Sequence, residues 1–172
     1  MARFPDFTNG EVVNDVKLDS GMVDFVRKTA DESVTSSTTL QNDNHLSAAI
    51  GTTGTYKLDV FLLGTSAANA AGDLGVGFIF PTGTMYLAGL GPDVGLASST
   101  VQTGQWGVNT AYTSGSLFQV FGLSTATVII WIHGVLVATA TGTLQLQWAQ
   151  QASNANASTL KTGSHMVVRQ VA

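Results

Sequence analysis

Cysteine is absent from the 172-residue sequence. A disulfide scaffold, a thiolate nucleophile and a Cys-ligated zinc site are therefore excluded. Charge is scarce: Asp, Glu, Lys and Arg make up 10% of the chain, against roughly 25% in an ordinary soluble domain. The formal net charge is −4, and no Lys/Arg cluster stands out. A nucleic-acid footprint needs a basic stripe, so no nucleic-acid partner is expected. Long hydrophobic runs are missing too. The longest, Ala126 to Ala138, carries His133 and Gly134 and falls short of the ~20 residues of a membrane-spanning helix. It reads as a buried strand or pair of strands, with no membrane insertion. Met1 to Asp6 lacks the apolar stretch of a secretory signal, so synthesis without export is expected. Carboxylates also run out: beyond Glu32 only Asp43, Asp59, Asp73 and Asp93 remain, which leaves little for a paired-carboxylate glycoside hydrolase.

What is present is apolar and unevenly arranged. Hydrophobic residues make up 44% of the chain, enough to bury a real core and too many for disorder. Eleven of the eighteen charged residues lie within the first 32 positions, whereas Val94 to Leu160 contains none. This shift predicts a boundary near residue 30, with an N-terminal anchoring arm over 1–30 and a β domain over 31–172. In the arm, Pro5-Asp6 and Asn9-Gly10 supply turn chemistry. Leu18, Met22, Phe25 and Val26 fall at offsets that share one helical face, which predicts a short helix at about 15–27, weakened by Gly21. Phe4, Phe7, Val12, Val13, Leu18, Met22 and Phe25 are more apolar side chains than a free linker has reason to keep, and are candidates for docking on a partner.

The rest alternates with period two. Tyr56, Leu58, Val60 and Leu62 share one face of a strand, the large residues of 74–80 fall on alternate positions, and Leu144, Leu146 and Trp148 point inward with glutamines outward. Further strands are expected near 33–40, 45–50, 84–90, 116–122, 127–140 and 164–171, separated by Gly-containing turns. Eight or more short strands at this spacing predict an all-β fold, a jelly-roll-like β-sandwich with a short N-terminal arm or helix. The neutral outward positions, Gln145, Gln147, Gln150 and Gln151 among them, suggest a surface covered by copies of the same chain.

Little points to catalysis. His45, His133 and His165 share no metal spacing with one another. His133, in an apolar strand, reads as a hydrogen-bonded core or interface histidine. Asp43 and His45 sit in a polar cluster that lacks further carboxylates for a cation. Asp59 falls on the solvent or interface side of its strand. No G-x-S-x-G elbow exists, and the Gly-rich stretch Gly89 to Gly95 has the wrong spacing for a dinucleotide site and reads as a loop. No enzyme activity, catalytic residue, metal or cofactor is expected. Trp106 and Tyr112, in the loop-like stretch 102–116, are the aromatics available for binding at a surface, with core or interface packing as the alternative.

Four segments carry a family resemblance. Phe7-Thr8-Asn9-Gly10-Glu11-Val12-Val13 with Leu18-Asp19-Ser20 resembles the start of many tailed-phage virion proteins. Arg27 to Asp43 is similar to a segment of minor tail, fibre-tip and head-decoration proteins of actinobacterial phages. Gly142 to Gln150 and Thr162 to Met166 follow the same pattern. The resemblance implies a virion surface module with a trimeric jelly roll of the tumour-necrosis-factor and C1q type. On that basis the expected role is a homotrimeric capsid decoration or cementing protein docked on the major capsid protein. The alternative is a minor tail, baseplate or fibre-tip protein that touches the host cell surface, with tail or baseplate proteins as partners. Heptads, collagen-like repeats and β-helix repeats are all lacking, which favours a knob over a fibre shaft.

Overall fold

The computed structural model describes residues 23–67, 72–95 and 104–171, with the backbone alone for 104–110. These residues form twelve strands: β1 (Asp24–Arg27), β2 (Glu32–Val34), β3 (Gln41–Ile50), β4 (Gly54–Ser66), β5 (Leu74–Ile79), β6 (Gly83–Pro92), β7 (Gly104–Tyr112), β8 (Leu117–Phe121), β9 (Val128–Ala138), β10 (Gly142–Gln150), β11 (Ser158–Leu160) and β12 (His165–Gln170). The larger sheet has the order β1-β12-β4-β9-β6-β7, with short β11 and β2 alongside; the smaller is β3-β10-β5-β8. Every pairing is antiparallel.

The topology is that of a jelly roll with one insertion. Setting aside β2, β11 and the β6–β7 pair leaves eight strands in chain order. The first, eighth, third and sixth of these make one sheet and the second, seventh, fourth and fifth the other, the arrangement produced by two interlocked Greek keys. The β6–β7 pair extends the larger sheet beyond β9, where β6 runs antiparallel to β9 from Gly83↔Ala138 to Leu90↔Trp131.

The core lies between the sheets and follows the alternation in the sequence. Tyr56, Leu58, Val60 and Leu62 of β4 and Ile130, Ile132 and Leu136 of β9 are buried. They meet Leu144, Leu146 and Trp148 of β10 and Leu74, Val76 and Phe78 of β5, all completely buried. The expected inward sets of β4, β5 and β10 are thus the observed ones. The glutamines of β10 are less exposed than expected. Gln150 shares the inward parity of Trp148 and is buried, its amide donating to the Asn156 carbonyl (2.8 Å). Gln147 is at the edge of burial and donates to Asn42 Oδ1 (2.9 Å).

Four local expectations are corrected. The helix at 15–27 does not extend through 24–27, which form β1 against β12; the remainder of that segment lies outside the described residues. In a strand, neighbours point to opposite faces, so Val26 packs on the core while Phe25 is 60% exposed. The boundary near residue 30 also moves: β1 belongs to the large sheet, and Lys28 behind it is fully buried. The stretch 89–95 is not all loop, because β6 runs through to Pro92. Finally, 104–112 is the strand β7 rather than loop.

Candidate functional site

Two features stand out: the outer face of the large sheet, and a charged cluster buried where the N-terminal strand enters the domain.

The outer face follows from the same alternation that builds the core. In β9 the inward set is Val128, Ile130, Ile132, Leu136 and Ala138, so the outward set is Ile129, Trp131, His133, Val135 and Val137. The run 126–138 therefore holds one strand, 128–138, buried on one side only. Ile129 is 53% and Trp131 48% exposed, and Tyr86 of β6 and Phe25 of β1 join them on the same sheet. Cross-strand register sets Arg27, His165, Phe61, Trp131 and Leu90 in one lateral row across β1, β12, β4, β9 and β6. The rings touch along it. Phe25 and Phe61 flank His165 at centroid distances of 5.2 Å each, and Phe61 meets Trp131 edge-on at 5.9 Å. An apolar patch of this kind on one face is unusual for a monomer and is the ordinary mark of an interaction surface.

Charged groups interrupt the patch: Arg27 stands in the lateral row, Arg169 of β12 lies opposite Lys57, and Lys57 and Asp59 alternate along β4. Asp59, opposite His133 in the register, accepts a hydrogen bond from His133 Nδ1 (2.5 Å) and pairs with Lys57 Nζ at 2.9 Å. Partial burial pushes the Asp59 carboxyl up, but the hydrogen bonds and charges of Lys57 and His133 outweigh it and hold the group below its ordinary value. His133 is thus on the outer face with a carboxylate partner, not in the core.

The second feature begins at Lys28, whose side chain is 0% exposed. Its ammonium donates to Asp43 Oδ2 at 2.5 Å and to Glu32 Oε2 at 2.8 Å. Asp43 is held by two further donors: the backbone N–H groups of His45 and Leu46 both reach its Oδ1 at 2.9 Å. The Lys28 backbone is fixed as well, donating to the Ser164 carbonyl and accepting from the Gly163 N–H. Gly163 has φ +95°, a left-handed conformation that glycine adopts without strain, and so makes the tight turn into β12. Glu32, Asp43 and His45 each offer a ligand atom within 4.8 Å of one another. Glu32 is the third carboxylate-or-imidazole group the local sequence did not reveal; it comes from β2, across the fold. Lys28 already bridges the two carboxylates, and the His45 Nδ1 atom is buried without a hydrogen-bond partner.

The remaining sequence candidates fall as follows. Tyr112 is not a surface aromatic: it is 4% exposed, its oxygen accepts the Phe78 N–H (2.8 Å), and its hydroxyl donates to the Ser116 carbonyl. Burial raises the Tyr112 hydroxyl above its usual range, with the Phe78 N–H offsetting in part. Trp106 lies on β7 opposite Leu90. Phe25 belongs to the outer face of the sheet rather than to an arm. Phe4, Phe7, Val12, Val13, Leu18 and Met22 lie outside the described residues. The aromatic row could have been found from the sequence, because the outward set of 129–137 is itself apolar.

No family model matches the chain, and comparison with curated proteins and with solved structures gives no match either.

Proposed function

We propose that this chain is a structural protein of a phage virion, a homotrimeric decoration or cementing protein that docks on the major capsid protein. The observation that supports it most directly is the exposed aromatic and aliphatic face of the large sheet. That face suits a second copy of the same chain. Lys57 and Asp59 neutralise each other within it, and Arg27 and Arg169 stand toward its β1–β12 edge, so apolar area rather than charge is what it chiefly offers a partner. Apolar surface of this kind is typical of homo-oligomer interfaces. The virion role rests on the resemblance of the segments at 7–20, 27–43 and 142–166, and the jelly-roll topology agrees with that resemblance.

In this reading the face holds the copies together and the segment before β1 reaches the capsid. Phe4, Phe7, Val12, Val13, Leu18 and Met22 supply the apolar contacts, each contributing roughly 1.5–3 kcal/mol if fully buried on a partner. The alternative, host-surface binding by a minor tail or baseplate protein, loses one of its two candidate aromatics, since Tyr112 is buried.

The test combines assembly and docking. Light scattering of the whole chain at micromolar concentration should give a trimer. A chain lacking residues 1–22 should keep the circular dichroism spectrum and the trimer mass, yet fail to bind the parent particle. A stable monomer together with a particle lacking threefold density refutes the reading. Retained binding by the truncated chain moves the docking surface onto the β domain.

A further inference from the structure

The buried cluster at Lys28 carries a chemistry that does not depend on the virion reading. We propose that Lys28 and Asp43 become joined by an intramolecular isopeptide bond, with Glu32 as the proton-transferring residue.

The reacting atoms are already placed. Lys28 Nζ lies 2.5 Å from Asp43 Oδ2, and both side chains are 0% exposed. Backbone hydrogen bonds on Lys28 and the two N–H groups on Asp43 Oδ1 fix both partners, so the attack is intramolecular and oriented, the condition under which effective concentrations become very large. The N–H groups of His45 and Leu46 point at the oxygen that would carry negative charge in a tetrahedral intermediate, the arrangement of an oxyanion hole. Glu32 Oε2, 2.8 Å from the same nitrogen, is within reach to accept its proton.

The step balances with no other reactant. A proton passes from the Lys28 ammonium to Asp43 Oδ2, converting the ion pair into a neutral amine and a carboxylic acid. The Nζ lone pair attacks Asp43 Cγ and forms the Nζ–Cγ bond. Glu32 takes a proton from the nitrogen and delivers it to Oδ2. The Cγ–Oδ2 bond then breaks, Oδ2 leaves as water, and Glu32 returns to the state in which it began. Nothing is oxidised or reduced. The product, a neutral amide, replaces a buried ion pair whose charges are costly to keep from water, and the dry surroundings protect it from hydrolysis.

The position gives the bond a purpose. Lys28 directly follows β1, a four-residue strand at the edge of the large sheet, and Asp43 lies on β3, at the edge of the small one. The bond ties the chain just after β1 to the small sheet, so tension on the N-terminal segment that peeled β1 from β12 would meet a covalent link before it reached the rest of the domain.

Intact mass spectrometry of the purified, denatured full-length chain tests this. The expected result is a mass one water molecule below that of the sequence, with digestion yielding a branched peptide that joins Lys28 to Asp43. Lys28→Met and Asp43→Ala are expected at full sequence mass, as is freshly purified Glu32→Gln. Wild-type protein at full sequence mass overturns the proposal, whether or not the variants fold. So does a water loss that maps to any other residue. Glu32→Gln cross-linked as completely as wild type overturns the role given to Glu32.

Discussion

Replacing Trp131 tests the proposed self-association face at its centre. Its ring stands between Phe61 and His133, at centroid distances of 5.9 and 6.1 Å, and 48% of the residue faces solvent. A tryptophan offers up to about 250 Å² of surface, so about 120 Å² remains to be covered by a partner. At ~25 cal/mol/Å² that area contributes roughly 3 kcal/mol per copy. Three copies give an upper limit of about 9 kcal/mol for complete dissociation, because buried area overstates affinity. Trp131→Ala should therefore shift the monomer–trimer equilibrium by orders of magnitude while leaving the isolated fold intact, since the lost atoms are half exposed. Trp131→Lys should go further, because each interface must then desolvate an unpaired charge. Ser47→Lys, on the exposed side of the small sheet, is the control and should assemble as wild type does. Sedimentation velocity across a concentration series reads the result. If Trp131→Lys sediments as the same oligomer as wild type over that series, the face is not the interface.

Three further outcomes follow from the structure. Trp148 is fully buried, so Trp148→Ala should cost roughly 3–5 kcal/mol in urea unfolding at fixed protein concentration; a loss below about 1 kcal/mol would contradict the register of β10. Tyr112→Phe leaves the Phe78 N–H without its acceptor and should cost about 1–3 kcal/mol by the same assay, although almost no volume is lost. The Asp59 carboxyl is held below its ordinary value in the folded protein, so the unfolded chain binds that proton more tightly. The stability this supplies is complete above the ordinary aspartate range and is lost as pH falls from about 4 downward. Asp59→Asn should make the melting temperature less sensitive to pH on that acid limb.

The core was legible because it depends on a period of two. Leu144, Leu146 and Trp148, or Tyr56 to Leu62, admit only one inward face, and the observed sheets use it. Edges were harder. Leu18, Met22, Phe25 and Val26 satisfy a helical spacing, but four residues of edge strand gain their order from hydrogen bonds to β12, a partner about 140 positions away that no local window contains. β7 was missed for a related reason. Gly104, Gly107 and Asn109 are poor strand formers, and β6 templates them in register from Met85↔Tyr112 to Pro92↔Gly104. Tyr112 illustrates the limit for sites. An isolated aromatic near Ser and Gly reads as a loop residue, and only its hydrogen bonds to Phe78 and Ser116 identify it as the pin between β7 and β5. The Lys28 cluster joins residues 28, 32 and 43 through two sheets, so Asp43 beside His45 suggested at most a weak cation site when read along the chain.

The two outer faces of the sandwich differ in a way that gives assembly a direction. On the small sheet, small residues let the chain fold back on itself: Leu117 packs over Gly75, and Leu40 and the Ser116 carbonyl close over Gly77. Gln145 spends its amide on the Asp43, Leu46 and Leu146 carbonyls. Much of that face is thus occupied by the protein's own loops and amides, with Ile79 and Leu117 as its exposed large apolar side chains. The large sheet has no such cover among the described residues, and it places Phe25, Trp131 and Tyr86 in the open. Its edge strand β1 is also where the N-terminal segment departs, so that segment starts beside the apolar face. An oligomer built through the large sheet would bring these starting points close to the contact between copies and leave the small sheets facing outward. Several arms converging from one assembly would bind a repeating capsid surface far more tightly than one arm alone, through effective concentration and without any new contact. Disrupting the face should therefore weaken particle attachment even with the arm intact. Trp131→Lys should lose particle binding along with its trimer mass; a monomeric Trp131→Lys that binds the particle as tightly as wild type would separate assembly from docking and refute the link between them.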